Sequence, residues 1–171
     1  MSDLKAVMIG CGRRAAEFAA GFEEARGVSC AACADVDREQ ADTLAAEFEL
    51  TAYYEAMEMM EVEAPDIIAI ITAFDTRAKF TRMCAEKRIP AIIVETPVVR
   101  TLAEARELVQ LCRTNGTRLM LTGRTPSLRE LLNSCAEAVK RSFRDPDAGE
   151  PRTQARSVQP EELVGEGRIR H

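Results

Sequence analysis

With 171 residues, 46% of them hydrophobic and 30% charged, the chain has the make-up of one soluble globular domain with a real core, and at most an appendage. Its net charge of −5 argues against a broad basic surface for nucleic acid. No apolar run approaches the roughly 20 residues that cross a bilayer, Asp3 interrupts any signal-peptide pattern, and six scattered cysteines fit a reducing cytoplasm.

The first element is the one the rest is organised around. Ala6–Ile9 is an apolar run that reads as a buried parallel strand; Gly10 and Gly12 follow at once, and a helical pattern starts near Arg13. The spacing is G-x-G-x-x-A. Gly10 suits the tight turn, Gly12 has no Cβ and so lets a pyrophosphate approach the backbone, and Ala15 lets the helix sit close to the strand. The helix N-terminus offers free N–H groups and a partial positive charge to phosphates, and Arg13 and Arg14 are placed to face the same group.

The first helix runs to about Ala25 with Phe18 and Phe22 toward the sheet. Val28–Ala34 is the second strand, and it ends in Asp35, 23 residues after Gly12. An acidic residue at that distance accepts the hydroxyls of an adenosine ribose; the alternative is that Asp35 only starts a turn. An aspartate there favours NAD over NADP because it repels a 2′-phosphate, and the nearby Arg38 blurs that preference. Cys30 and Cys33 form a C-x-x-C inside this strand. An ideal strand points i and i+3 to opposite faces about 10 Å apart, too far for a disulfide, so no redox or metal role is expected of the pair.

Asp37 and Gln40 mark a helix start, with the helix running to about Phe48. Residues 51–54 read as a short extended piece and 55–61 as a short helix whose methionines suit packing. Ile67–Ile71 is a continuous apolar run, as expected of a central strand covered on both faces. Ligands of such sheets bind outside the carboxyl ends of strands, so Thr72, Ala73 and Phe74 are expected to line a cleft, with Phe74 equally suited to tucking under the next helix. That helix is expected over 76–87. Pro90–Val94 is the next strand, ending in Glu95–Pro97. Thr101 and Glu104 form a capping box for a helix to Thr114, Asn115 and Gly116 stop it, and Arg118–Thr122 is the last strand. Six strands alternating with helices predict a doubly wound parallel sheet, the Rossmann fold. Residues 127–143 read as an amphipathic helix that covers its own sheet or meets a partner. The polar, proline-bearing stretch 144–171 is expected to be disordered. The only histidine is His171, which removes a histidine base, a Ser-His-Asp triad and a histidine metal site from the body of the chain.

The series formed by Ile9–Arg13, Ala34–Asp37, Pro65–Thr72, Val94–Pro97 and Thr101–Leu108 leading into Leu119–Leu121 resembles the glucose–fructose oxidoreductase / inositol dehydrogenase family, Gfo/Idh/MocA, over residues 5–126. The resemblance implies a dinucleotide-binding domain over 1–126 that holds NAD or NADP. It implies cofactor contacts from Gly10, Gly12, Arg13, Asp35, Thr72 and Glu95, beside the Ala73 and Phe74 placed by the strand end, and hydride transfer on a sugar or polyol-like substrate held by a second domain. Three departures stand beside it. The family's E-K-P reads Glu95-Thr96-Pro97, replacing a lysine that often assists proton transfer. The T-P-N/P-x-x-H segment reads Thr72 to Arg77, without the proline or the histidine. The substrate domain is not found within the 171 residues. The expectation is a cofactor-binding oxidoreductase domain that is not catalytically complete alone, with a second chain as one source of the missing half. The alternative is a non-catalytic nucleotide-binding or protein-interaction module.

Overall fold

The computed structural model describes residues 3–122 and 128–144. Strands and helices alternate as β1 (Leu4–Ile9), α1 (Ala15–Glu24), β2 (Val28–Ala34), α2 (Arg38–Glu47), β3 (Thr51–Tyr53), α3 (Ala56–Glu63), β4 (Ile67–Ile70), α4 (Phe74–Glu86), β5 (Ala91–Glu95), α5 (Leu102–Thr114), β6 (Arg118–Thr122) and α6 (Leu128–Arg144). The strands form one sheet in the order β3-β2-β1-β4-β5-β6, and every pair is parallel. The chain winds outward from β1 through β2 to β3, then returns to the other side of β1 to lay down β4. The reversal between β1 and β4 leaves a crevice at their carboxyl ends.

The alternation of side chains along the strands divides the core in two. Ala6, Met8, Ile67, Ala69 and Ile93 face α1, α2 and α6, where they meet Phe18, Phe22, Leu44, Leu132 and Val139. Val7, Ile9, Ile68, Ile70, Ile92 and Val94 face α3, α4 and α5, where Met59, Met60, Cys84, Leu108 and Cys112 close the layer. The central strands are buried on both faces, which is why they read as unbroken apolar runs.

Strand β2 departs from simple alternation, and this corrects the reading of Cys30 and Cys33. Ala6 pairs with Cys30 but Val7 pairs with Ala32, so a bulge at Ala31 shifts the register. Cys30 before the bulge and Cys33 after it therefore pack on the same face, against the α1–α2–α6 layer, not on opposite faces. Both are free thiols.

The helix starts follow local chemistry. Asp37 caps α2 by accepting from the Glu39 and Gln40 amides, and Gln40 Nε2 donates to its other oxygen at 2.7 Å. Those bonds hold the Asp37 carboxyl below its ordinary range, the Gln40 side chain contributing most. The capping box of Thr101 and Glu104 is formed as expected. α4 begins at Phe74, two residues earlier than expected at Thr76, because the Thr76 amide already bonds the Ala73 carbonyl at 3.1 Å. α6 packs on α1 where Gly21 opens the surface: a Cβ there would stand 2.9 Å from Leu128 Cδ2. Of the tail expected over 144–171, Arg144 is the last residue of α6, one residue beyond the expected helix end; residues 145–171 and the segment 123–127 lie outside the described residues.

Candidate functional site

The site is built on three loops that leave the carboxyl ends of β1, β4 and β5. In the first, Gly10 has φ +99° and its amide extends the ladder to β2 by bonding the Ala34 carbonyl at 2.8 Å. A Cβ at Gly10 would lie 2.8 Å from the Ile71 carbonyl carbon and 2.9 Å from the Thr72 nitrogen. The chain itself thus demands glycine at position 10, through both conformation and close approach. Gly12 differs. Its φ is one that any residue can adopt, and the nearest atom to an added Cβ is Gln40 Oε1 at 3.7 Å. Nothing in the packing of the described residues requires glycine there.

The Ala15 amide bonds the Gly12 carbonyl at 2.8 Å to start α1, and no side chain caps that helix. Its first amides are left to outside partners. Arg13 beside them is exposed and has no hydrogen-bond or ion-pair partner among the described residues. A pocket of about 350 Å³, lined by Gly12, Arg13, Gln40 and Thr43, opens on the α2 side of the loop. Its lining includes none of Thr72, Ala73, Phe74 or Glu95.

Asp35 does start a turn, and it does more. Its Oδ1 accepts from the Asp37 amide at 3.0 Å, and its Oδ2 accepts from the Cys11 amide at 2.8 Å. The carboxylate therefore ties the glycine loop to the end of β2, and each oxygen keeps further acceptor capacity. Arg38 does not turn toward Asp35; its guanidinium lies 4.0 Å above the Tyr54 ring, whose hydroxyl donates to Asp42 at 2.8 Å.

On the other side of the crevice Glu95 takes two arginines. Arg14 Nε reaches Oε1 at 2.7 Å and Arg77 Nη2 reaches Oε2 at 2.9 Å. Arg77 is fully engaged: its Nε donates to the Thr72 carbonyl at 2.9 Å, and its Nη1 to the carbonyls of Glu95, Thr96 and Pro97 at 3.3, 3.0 and 3.1 Å. One side chain staples the loop after β4 to the loop after β5, across a cis Thr96–Pro97 peptide. Thr96 turns away from this group, its hydroxyl donating to the Thr122 carbonyl of β6 at 2.9 Å. Phe74 is partly buried beneath Arg100, whose guanidinium sits 4.8 Å from the ring centre; Ala73 is exposed and Thr72 partly so.

The residues singled out in the sequence thus fall into two groups. Gly10, Gly12, Arg13 and Asp35 surround the β1 loop, while Thr72, Ala73, Phe74 and Glu95 follow β4 and β5. Sequence reasoning missed that Arg14 and Arg77 join them. The available signal was the departure at 77, an arginine in place of a histidine.

Residues 4–122 match the model of the family described as "Oxidoreductase family, NAD-binding Rossmann fold", GFO_IDH_MocA. The chain belongs to this family. Among relatives of Gfo/Idh/MocA type, a D-apiose dehydrogenase of Paraburkholderia graminis is 27% identical over 148 residues, which cover 86% of this chain and 38% of the relative. A D-apiose dehydrogenase of Rhizobium rhizogenes is 25% identical over 122 residues, covering 71% of this chain and 35% of the relative. The chain therefore spans little more than a third of the length of the curated relatives it matches. The fold is similar to that of an oxidoreductase from Agrobacterium radiobacter, solved in complex with NAD+, L-tartaric acid and magnesium. That likeness has a TM-score of 0.67 at 24% identity, over 70% of this chain and 35% of that one. What the chain carries is the family's NAD-binding Rossmann domain, in which no described helix is long and apolar enough to cross a membrane.

Proposed function

We propose that the chain binds a nicotinamide dinucleotide in the crevice over the carboxyl ends of β1 and β4, as the cofactor half of an oxidoreductase acting on a sugar or polyol-like substrate. Gly12 is the observation that carries this reading. Its backbone conformation is ordinary and the described residues around it leave room for a Cβ, so the bare backbone there stands open to the close approach of a pyrophosphate. The amides at the start of α1 and Arg13, which has no partner among the described residues, supply donors and positive charge for a pyrophosphate. Asp35 has acceptor capacity left for ribose hydroxyls, and its charge disfavours a 2′-phosphate, so NAD is preferred to NADP.

The bound dinucleotide would supply hydride chemistry. The chain's own part is to hold it: Gly12 and the α1 amides at the phosphates, Asp35 at the adenosine ribose, and Thr72, Ala73 and Phe74 along the far side of the crevice. Glu95 has both oxygens engaged by arginines, so it serves there by placing Arg14 and Arg77 rather than as a free acceptor.

A second reading, a module that binds without turnover, draws on Thr96. Its hydroxyl is turned to the Thr122 carbonyl and it cannot act as a cationic acid, while Arg77 in the histidine's place is committed to the Glu95 carboxylate and to backbone carbonyls. On either reading a substrate domain, from further chain or from a second chain, is needed for hydride transfer.

Titration with NADH and NADPH, followed by nicotinamide fluorescence and calorimetry, tests the proposal. NADH should bind in the micromolar range and more tightly than NADPH. Gly12→Val and Asp35→Ala should each weaken NADH at least about ten-fold in a protein that melts normally. Unchanged affinity in the folded Gly12→Val variant would remove the basis of the reading. Turnover with added sugars by the chain alone would overturn the module reading.

A further inference from the structure

Arg14 and Glu95 belong to loops that do not neighbour one another. Arg14 ends the glycine loop after β1, Glu95 ends β5, and β4 lies between these strands in the sheet. With neighbouring strands about 4.8 Å apart, β1 and β5 are separated by about 10 Å. The Arg14 side chain therefore crosses the carboxyl end of β4 to reach Glu95 Oε1 at 2.7 Å. That path runs over the crevice at the switch point, where a ligand of such a sheet lies.

The two ends of this bridge differ in freedom. Glu95 is 12% exposed and is fixed from below by Arg77, which is itself held by four backbone carbonyls. Arg14 is 53% exposed, and its only other partner among the described residues is Glu17, one turn along its own helix, at 3.3 Å. The carboxylate is the anchored half and the arginine is the half that can leave. Arg14 also stands at the start of α1, where the helix amides favour an incoming anion.

We infer that the Arg14–Glu95 ion pair is a latch across the dinucleotide crevice, in which Arg14 exchanges the Glu95 carboxylate for a phosphate of the ligand when the dinucleotide binds. This rests on the cofactor reading above and adds a residue that sets affinity through competition. Glu95 is a positioning residue in this arrangement: it holds Arg14 over the crevice and withholds it until the diphosphate arrives, which carries one negative charge on each phosphate. A ligand without phosphates gives Arg14 no reason to move.

NADH is the probe, with affinity read by fluorescence on the wild-type chain, Glu95→Gln, and the double variant Glu95→Gln/Arg14→Met. Glu95→Gln frees Arg14 and should tighten NADH about five-fold, the scale of a partly exposed ion pair that no longer competes. The double variant should lose that gain entirely. A Glu95→Gln affinity within two-fold of wild type, or a gain that survives removal of Arg14, overturns the latch while leaving the cofactor reading intact. NADH binding by Glu95→Gln alone, with none by wild type, supports a tightly closed latch. No binding by any of them, with normal melting, removes the cofactor reading and the latch together. Should Glu95→Gln not fold, NMR of the wild-type arginine Nε–H signals decides. The Arg14 signal, identified by its loss in Arg14→Met, should shift to saturation with NADH while that of Arg77 stays in place. A stationary Arg14 signal at saturating NADH overturns the exchange.

Discussion

Gly10 and Ile71 meet backbone to backbone: a Cβ on Gly10 would stand 2.8 Å from the Ile71 carbonyl carbon, at a φ of +99°. Two glycines only two residues apart in the same motif therefore obey different constraints. Gly10→Ala should destabilise the fold by about 3 kcal/mol, through strain and overpacking against backbone that cannot yield. Gly12→Ala should change stability by less than about 1 kcal/mol, in either direction, since it meets nothing closer than 3.7 Å. Urea unfolding of both variants checks this. Equal losses would mean that Gly12 too is held by the fold.

Arg77 is the next place where one residue serves several elements. It joins the carbonyls of Thr72, Glu95, Thr96 and Pro97 to the Glu95 carboxylate. Arg77→Met should cost roughly 3 kcal/mol, because it leaves a mostly buried carboxylate with a single exposed partner and several carbonyls unsatisfied. Arg77→Lys should recover little, since an ammonium cannot match the planar fork. Urea midpoints would measure both, and a midpoint for Arg77→Met equal to wild type would refute the staple.

The strands were legible because periodicity reports burial, and the buried strands β4 and β5 are nearly pure Ile, Val and Ala. The glycine loop and Asp35 were legible because their spacing along the chain fixes their position in a strand–turn–helix unit. The bulge at Ala31 was not. A run of small residues gives no alternation to violate, so the flip that brings Cys30 and Cys33 to one face left no trace. The Glu95 network was hidden for a different reason. Arg14, Arg77 and Glu95 are separated by up to 81 residues and meet only once the β1, β4 and β5 ends are side by side.

The cysteines give a prediction about reactivity. Burial pushes the thiols of Cys30, Cys84 and Cys135 up to about 12. The hydrogen bond with Cys33, and then burial, raise Cys11 well above the ordinary thiol range. Cys33 is lowered, chiefly by that same bond, but its side chain is fully buried and its thiol also faces the Ala41 carbonyl at 3.7 Å. At pH 8 the native chain should therefore react slowly with a thiol reagent such as DTNB, and all six cysteines should react promptly in denaturant. A rapid stoichiometric phase in the native protein would show a thiolate that this packing does not provide.

Glu63 gives the acid side of the stability profile. It accepts from the Tyr53 hydroxyl at 2.8 Å and pairs with Lys5 at 3.2 Å, joining the end of α3 to β3 and β1. The Tyr53 bond first, and then Lys5, hold its carboxyl below the ordinary value of 4.5. A carboxylate whose folded value is depressed contributes stability above the unfolded value and loses it as pH falls through the folded one. Glu63→Gln should therefore lower stability by up to about 1 kcal/mol at pH 7, the scale of a solvent-screened pair. The gap should remain at pH 5.5 and close as pH drops below about 4.5, where the wild-type carboxylate becomes protonated as well. Urea midpoints for both proteins at pH 7, 5.5 and 3.5 give the answer. A gap that stays constant down to pH 3.5 would show that Glu63 acts through packing and not through its charge.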